Sequence, residues 1–190
     1  PLADSGPLPG APFELPFWAL LSGFVAAELL TVDIESRSEA HSVNFVELVY
    51  VAALVLGAPL VVISARVAGL FLIVGVIRRQ SPLKLAVNIA MAAAEASTAC
   101  LVFTSLAAHA SPVKPLGWLV IYASTAAAYL VSTSLVSVAI TVLSGFPGRR
   151  MLQQVLVVGG IVAVANTTIG IVLVGSLWNR SYLGLLVVVV

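Results

Sequence analysis

The chain has 190 residues, of which 61% are hydrophobic and 9% charged, with a formal net charge of +1. A mean hydropathy of +1.13 excludes an ordinary soluble domain and predicts an integral membrane protein. The small net charge argues against nucleic-acid binding, while a single cysteine and two histidines exclude a disulfide framework and a histidine metal cage.

The apolar runs are continuous rather than alternating, which indicates helical spans. We therefore predict an all-α fold, a polytopic transmembrane helical bundle of about seven visible spans, with one more upstream. Residues 1–15, rich in Pro and Gly, form an extracytoplasmic lead-in, and Pro16 suits the first position of a helix. The transmembrane module covers residues 16–190, with spans at about 16–32, 45–56, 59–77, 85–107, 116–143, 151–177 and a truncated 183–190.

The segment after the first span alternates charged and uncharged residues from Val32 to Ser42. A period of two predicts a short extended segment with one charged face, outside the hydrocarbon. This segment is either a solvated edge or a relay that passes the state of the membrane to an attached domain. The candidate relay residues are Glu35, Arg37, Glu39 and His41.

Gly57-Ala58-Pro59 divides the next apolar stretch. As one helix, residues 45–77 would measure roughly 50 Å, which exceeds a hydrocarbon core of about 30 Å. The break therefore predicts two short, tightly connected helices.

The basic residues fall mainly on one side of the predicted spans. Arg78–Lys84 and Ser144–Arg150 are basic loops on that side, whereas Lys114 and Arg180 lie on the other. The positive-inside rule places the first group in the cytoplasm and predicts a multi-pass protein of the cell membrane. The lead-in is then outside, which predicts a preceding helix, and the seventh span ends inside, which predicts a cytoplasmic continuation.

Ionisable and amide side chains inside the apolar runs are the candidate site residues. Each ionisable group costs roughly 3 kcal/mol at membrane depth, so such groups are usually paired or functional. Asn88 and Glu95 are seven residues apart and share one helix face, either as a ligand site or as a packing hydrogen bond. The candidate ligand-binding residues are Glu47, Tyr50, Arg66, Asn88 and Glu95.

Two of these residues lie at similar distances from the Gly57–Pro59 turn. Glu47 and Arg66 are therefore predicted to be at similar depth and to pair across the two short helices. Glu28, near the cytoplasmic end of the first span, is expected to reach the interface or the charged segment instead of binding a ligand.

Several blocks in residues 32–95 carry a family resemblance. They are Arg37-Ser38-Glu39-Ala40-His41-Ser42, Glu47, Gly57-Ala58-Pro59, Arg66-Val67-Ala68-Gly69 and Arg79-Gln80-Ser81-Pro82-Leu83-Lys84 with Asn88. In this order the chain resembles the multi-helix membrane input module of actinobacterial GGDEF and EAL signalling proteins. The chain departs from that pattern at Val46, Val49-Tyr50 and Val87, where Ser, Pro and Phe are common.

The resemblance implies a membrane sensory and anchoring module that passes a signal to a cytoplasmic cyclic di-GMP output domain, a diguanylate cyclase or phosphodiesterase. It implies no catalytic residue, cofactor or metal in this segment. The partners expected are the lipid bilayer, that output domain in the same chain, and a second copy through the small residues of the sixth span. The alternatives are a small-solute transporter component, which also needs broken helices and buried carboxylates, and a scaffold that only localises its partner.

Overall fold

The computed structural model describes residues 11–30, 32–36, 39–43, 45–107, 111–144 and 149–179. The elements in chain order are α1 (Phe17–Leu29), β1 (Val32–Ser36), β2 (Glu39–Val43), α2 (Val46–Leu56), α3 (Pro59–Leu70), a π-helix (Phe71–Ile77), α4 (Pro82–Leu106), α5 (Pro115–Ser144) and α6 (Arg149–Trp178).

The short helix α2 lies at the centre of the bundle and contacts all five other α-helices described. Around it, α1 packs on α3, α3 on α4, α4 on α5, and α5 on α6. The largest fully buried side chains are Tyr50 of α2 and Phe24 of α1. This arrangement is a helical bundle in which the middle helix is covered on every side.

Among the described residues, four helices are long and apolar enough to cross a membrane: Pro59–Ile77, Pro82–Leu106, Pro115–Val142 and Leu156–Trp178. Large apolar side chains such as Leu119 and Val142, 66% and 77% exposed, face outward, as on a surface that lipid covers. The protein is therefore a helical membrane protein.

The prediction of about seven spans is not supported. The helices α1 and α2 have only 13 and 11 residues, and residues 183–190 lie outside the described part of the chain. An 11-residue helix measures roughly 17 Å, which is shorter than a bilayer core. Its apolar residues resemble those of a span because α2 is buried in protein instead of lipid.

The pairs α1 and α2, α3 and α4, and α5 and α6 each run in opposite directions, because the start of one helix contacts the end of the other. The contacts are Leu15 with Leu56, Pro59 with Cys100, and Tyr122 and Tyr129 with Thr168 and Leu156. The C-terminus of α1, the N-termini of α2 and α4 and the end of the π-helix consequently lie at one end of the bundle. We call this end the basic end, because it carries the exposed Arg78, Arg79 and Lys84. At the opposite end, the Leu15 amide donates to the Leu56 carbonyl at 2.8 Å and satisfies the terminus of α2.

The strands β1 and β2 pair antiparallel as a hairpin at the basic end, with Asp33 opposite Ser42 and Glu35 opposite Ala40. The sequence predicted one extended edge here, whereas the structure divides it into two paired strands. Glu39 and His41 belong to β2. The fourth relay candidate, Arg37, lies outside the described residues.

The π-helix Phe71–Ile77 continues α3 without a break. Its last turn is closed by the Arg78 amide, which donates to Ile73 at 2.8 Å, and by the Gln80 amide, which donates to Val74 at 3.1 Å. Arg79 between them has a φ of 47°, in the left-handed region that stops a helix. Short π-helices occur frequently at functional sites, and this one ends beside the cavity described next.

Candidate functional site

Arg66 of α3 lies at the centre of a buried charge cluster. Its Nη1 atom is 2.6 Å from Glu28 Oε1 of α1, and its Nη2 atom is 3.5 Å from Glu95 Oε2 of α4. The three side chains are only 7%, 11% and 12% exposed, respectively. One guanidinium thus joins three helices, with a short contact to Glu28 and a longer one to Glu95.

The aromatic ring of Phe24 lies beside this guanidinium, and the ring of Tyr50 packs against Phe24. The Arg66 Cζ atom lies 5.7 Å from the centroid of the Phe24 ring, within cation–π range. The Tyr50 ring meets Phe24 edge-on, with centroids 5.2 Å apart. The Tyr50 hydroxyl and Arg66 Nε are buried, and neither makes a hydrogen bond of normal geometry to a described residue.

A polar cavity of about 330 Å³ lies between this cluster and the basic end. Such a volume is in the range of small-ligand sites, which begin near 300 Å³. The cavity extends from α1 to α5, and seven of its lining side chains are polar or charged: Glu28, Arg66, Arg78, Gln80, Asn88, Glu95 and Ser132. Leu70, Val74, Met91 and Ala92 complete the wall.

Asn88 and Glu95 both line this cavity, as expected for residues on one face of α4. The Asn88 Nδ2 atom donates to Gln80 Oε1 at 2.8 Å, which ties α4 to the loop after the π-helix. The two residues therefore face the same cavity, with Asn88 nearer the basic end and Glu95 deeper in the bundle.

The predicted Glu47–Arg66 pair is wrong. Arg66 contacts Glu28 and Glu95, while Glu47 Oε2 accepts a hydrogen bond from Asn166 Nδ2 at 3.0 Å. The reason is packing, because α3 packs mainly on α1 and α4, whereas α2 packs mainly on α6. Glu47 and Arg66 lie on consecutive helices, but their side chains contact different neighbouring helices and not each other.

The expectation that Glu28 reaches the interface is also wrong. This residue is 8% exposed and bonded to Arg66, instead of reaching the interface. It lies in the last turn of α1, and the packing of α1 on α3 brings its carboxylate within reach of the Arg66 guanidinium.

Sequence reasoning missed four polar residues. Arg78, Gln80 and Ser132 line the cavity, and Asn166 binds Glu47. Asn166 had a detectable signal, because it is an amide within the apolar run of α6. Arg78 and Gln80 were assigned to a loop, and Ser132 is one of several hydroxyl residues in α5, so neither pattern pointed to a cavity.

Glu47 and Tyr50, the other two candidates, lie outside the cavity lining. Tyr50 packs against the Phe24 ring beside Arg66, and Glu47 is hydrogen-bonded to Asn166 between α2 and α6. Within the described residues, no group of three or more His, Cys, Asp or Glu side chains could hold a metal ion.

A second cavity of about 410 Å³ lies between α5 and α6, toward the opposite end of the bundle. Trp118, Ile171 and Val172 are among its lining residues, and Tyr122 is hydrogen-bonded there to Thr168 at 2.7 Å. It contains no ionisable carboxylate or guanidinium, so the polar cavity is the stronger candidate site.

Comparison with models of known protein families, with characterised proteins and with solved structures finds no match to this chain.

Proposed function

We propose that this chain is the membrane-embedded sensory and anchoring module of a cyclic di-GMP signalling protein. The observation that carries the proposal is the Glu28–Arg66–Glu95 cluster, which borders a polar cavity inside a membrane bundle. The sequence resemblance supplies the expected output, a cytoplasmic GGDEF or EAL domain in the same chain. The lipid bilayer, that domain and a second copy of the chain are the partners in this proposal.

A module that only anchored its partner in the membrane would not require such a cluster. Replacing a buried ion pair with well-packed apolar residues is often neutral or stabilising, so buried charge is a poor way to gain stability. Ionisable residues within membrane helices mark functional sites by default. The cluster is therefore more readily explained by ligand recognition than by anchoring.

The position of Glu28 suggests a route for the signal. It lies in the last turn of α1, and the β1–β2 hairpin follows directly at the basic end. A ligand that alters the Glu28–Arg66 contact would shift the end of α1 and, with it, the hairpin. Glu35, Arg37, Glu39 and His41 remain the candidate relay residues in this proposal.

The proposal is tested on the full-length protein with its output domain. Glu95→Gln should leave insertion and melting temperature close to normal but change cyclic di-GMP output. Ser105→Ala is the control on the same helix. Ser105 is exposed, and its hydroxyl donates to the Leu101 carbonyl one turn earlier in α4. A normally stable Glu95→Gln protein with normal regulation would exclude the cavity as a sensing site.

The orientation has its own test. In a Cys100→Ala background, Lys84→Cys at the basic end should resist a membrane-impermeant thiol reagent in intact cells, whereas Ser111→Cys should react. The reverse pattern would place the basic end outside and remove the expected link to a cytoplasmic domain.

A small-solute transporter component is the second candidate, favoured by the change from α-helix to π-helix beside the cavity. Departures from regular α-helix within a membrane bundle often lie at functional sites, as do the discontinuous helices of transporters. The complete reading frame separates the two, since a GGDEF or EAL domain supports the sensor. Solute uptake into vesicles that contain the purified protein would support the transporter.

A further inference from the structure

The second cavity, between α5 and α6, is open at membrane depth. It has a volume of about 410 Å³, within the range of small-ligand sites. Thr168 and Val172 line it and are exposed, and both lie within the span Leu156–Trp178. Within the described part of the chain, a ligand can therefore enter this cavity sideways from the bilayer.

The described side chains that line this cavity carry no formal charge. A charged head group would find no opposite charge among them, and burying an unpaired charge is costly. The wall combines apolar and aromatic side chains with hydroxyl groups, among them Trp118, Ile171, Val172, Tyr122, Thr168 and Ser176. The cavity therefore suits an uncharged molecule with an apolar part and a small polar part.

The hydroxyl groups of the wall have already used their hydrogen atoms. The Thr168 hydroxyl donates to the Val164 carbonyl at 2.7 Å, and the Ser176 hydroxyl donates to the Val172 carbonyl at 2.8 Å. Because a hydroxyl has only one hydrogen, Tyr122 is the donor in its 2.7 Å contact with Thr168. These oxygens still accept hydrogen bonds, so the wall recognises a ligand group that donates one.

The length of the cavity matches a medium alkyl chain. Ser176 and Thr168 line it eight residues apart on α6, which corresponds to roughly 12 Å along the helix. Ser176 lies nearer the helix end at Trp178, and Ile171 and Val172 line the deeper part. An extended chain of ten carbons, with C–C bonds of roughly 1.5 Å, measures about 11 Å and fits between these positions.

We propose that this cavity binds a single-chain, uncharged alcohol from the bilayer, with its hydroxyl donating to Ser176 and its chain lying along Ile171 and Val172. The site is separate from the polar cavity, so this inference goes beyond the sensory function and does not depend on it. The alternative occupant is an ordinary phospholipid acyl chain, which would show no preference for a hydroxyl.

The site is located by photolabelling of the purified full-length protein in lipid nanodiscs, with 1-decanol that carries a diazirine on its chain. Mass spectrometry should find the label within residues 168–179 or on α5 beside them. At equal concentrations in the bilayer, 1-decanol should compete at least threefold better than decyl methyl ether, which has no hydrogen to donate, and than decanoate, which is charged. Equal competition by either compound, or label confined to other surfaces, would overturn the inference.

Gly175→Leu tests whether the ligand occupies the cavity. Gly175 lines it, and a Cβ atom there would have no described residue within 4 Å, so a larger side chain enters open space. The variant should keep its melting temperature and lose labelling at least tenfold, because the added side chain takes the place of the ligand.

Gly160→Leu is the matched control on the same helix. Gly160 lies outside the cavity lining, and a Cβ atom there would meet only Tyr129, at 4.0 Å. This variant should be labelled normally. Normal labelling of Gly175→Leu, or an equal loss in the two variants, would contradict the proposed site.

Ser176→Ala tests the role of the hydroxyl group. The advantage of 1-decanol over decyl methyl ether should disappear in this variant, while the label stays in the same segment. Ser105→Ala, which removes an exposed hydroxyl of α4, should leave that advantage unchanged. An advantage that survives Ser176→Ala would overturn the inference, and the two glycine variants decide it if Ser176→Ala does not fold.

Discussion

Arg66 and Glu28 form a buried ion pair that joins α3 to α1, with Nη1 and Oε1 2.6 Å apart. Thirty-eight positions separate the two residues in the chain, and both side chains are about nine-tenths buried. The same guanidinium lies 3.5 Å from Glu95, so Arg66 contacts two carboxylates and is closer to Glu28 than to Glu95.

Glu28→Gln should destabilise the protein more than Glu95→Gln. Glu28→Gln leaves the buried guanidinium with only the longer, 3.5 Å contact to Glu95, so it should lose part of the about 3–5 kcal/mol that breaking a buried ion pair costs. The Glu95 contact is longer, and Glu28 still holds the guanidinium when Glu95 is neutralised. Thermal and detergent unfolding of the two variants measure the difference, and equal losses would contradict the assignment of Glu28 as the main partner.

Glu47 and Asn166 should behave as a coupled pair between α2 and α6. Asn166→Asp places a second carboxylate against Glu47 and should lower stability, whereas Glu47→Gln with Asn166→Asp restores a donor and an acceptor. Interhelical hydrogen bonds of this kind contribute about 0.6 kcal/mol on average. A double-mutant cycle measures the coupling, and strict additivity would show that the two side chains do not interact.

Gly170→Ala should be destabilising and Gly175→Ala should not. A Cβ atom on Gly170 would lie 2.7 Å from Val51 Cβ, so α6 would have to move away from α2. The same atom on Gly175 would have no described residue within 4 Å. Overpacking of this kind costs about 1–3 kcal/mol. Melting temperatures of the two variants decide the point, and a tolerated Gly170→Ala would argue against this close approach of α2 and α6.

Tyr50→Phe should leave stability unchanged or raise it by up to about 1 kcal/mol, because the buried hydroxyl that it removes makes no hydrogen bond of normal geometry to a described residue. Tyr122→Phe is the matched comparison, since it removes the hydroxyl that is hydrogen-bonded to Thr168 at 2.7 Å, and it should lower stability. A loss in Tyr50→Phe as large as that in Tyr122→Phe would show that the Tyr50 hydroxyl is satisfied in the membrane.

Part of the candidate site was readable from local spacing. Asn88 and Glu95 face one cavity because residues seven apart on a helix always lie on the same side. The break at Gly57–Pro59 was equally local, since Pro59 starts α3 and cannot continue α2. The Arg66 partners were not readable, because they come from α1 and α4, and no spacing in the chain relates positions 28, 66 and 95.

The sequence by itself determined that the protein is a helical membrane protein with charges inside its apolar runs. Hydropathy is summed over neighbouring residues and does not require knowledge of packing. Only the tertiary structure decided that α2 is a central helix instead of a span, that Glu47 turns toward α6, and that Arg66 is shared by Glu28 and Glu95. When a helix is apolar on every face, its sequence does not indicate which face packs against which neighbouring helix. Only the packing of the six described α-helices therefore brings these charged groups together.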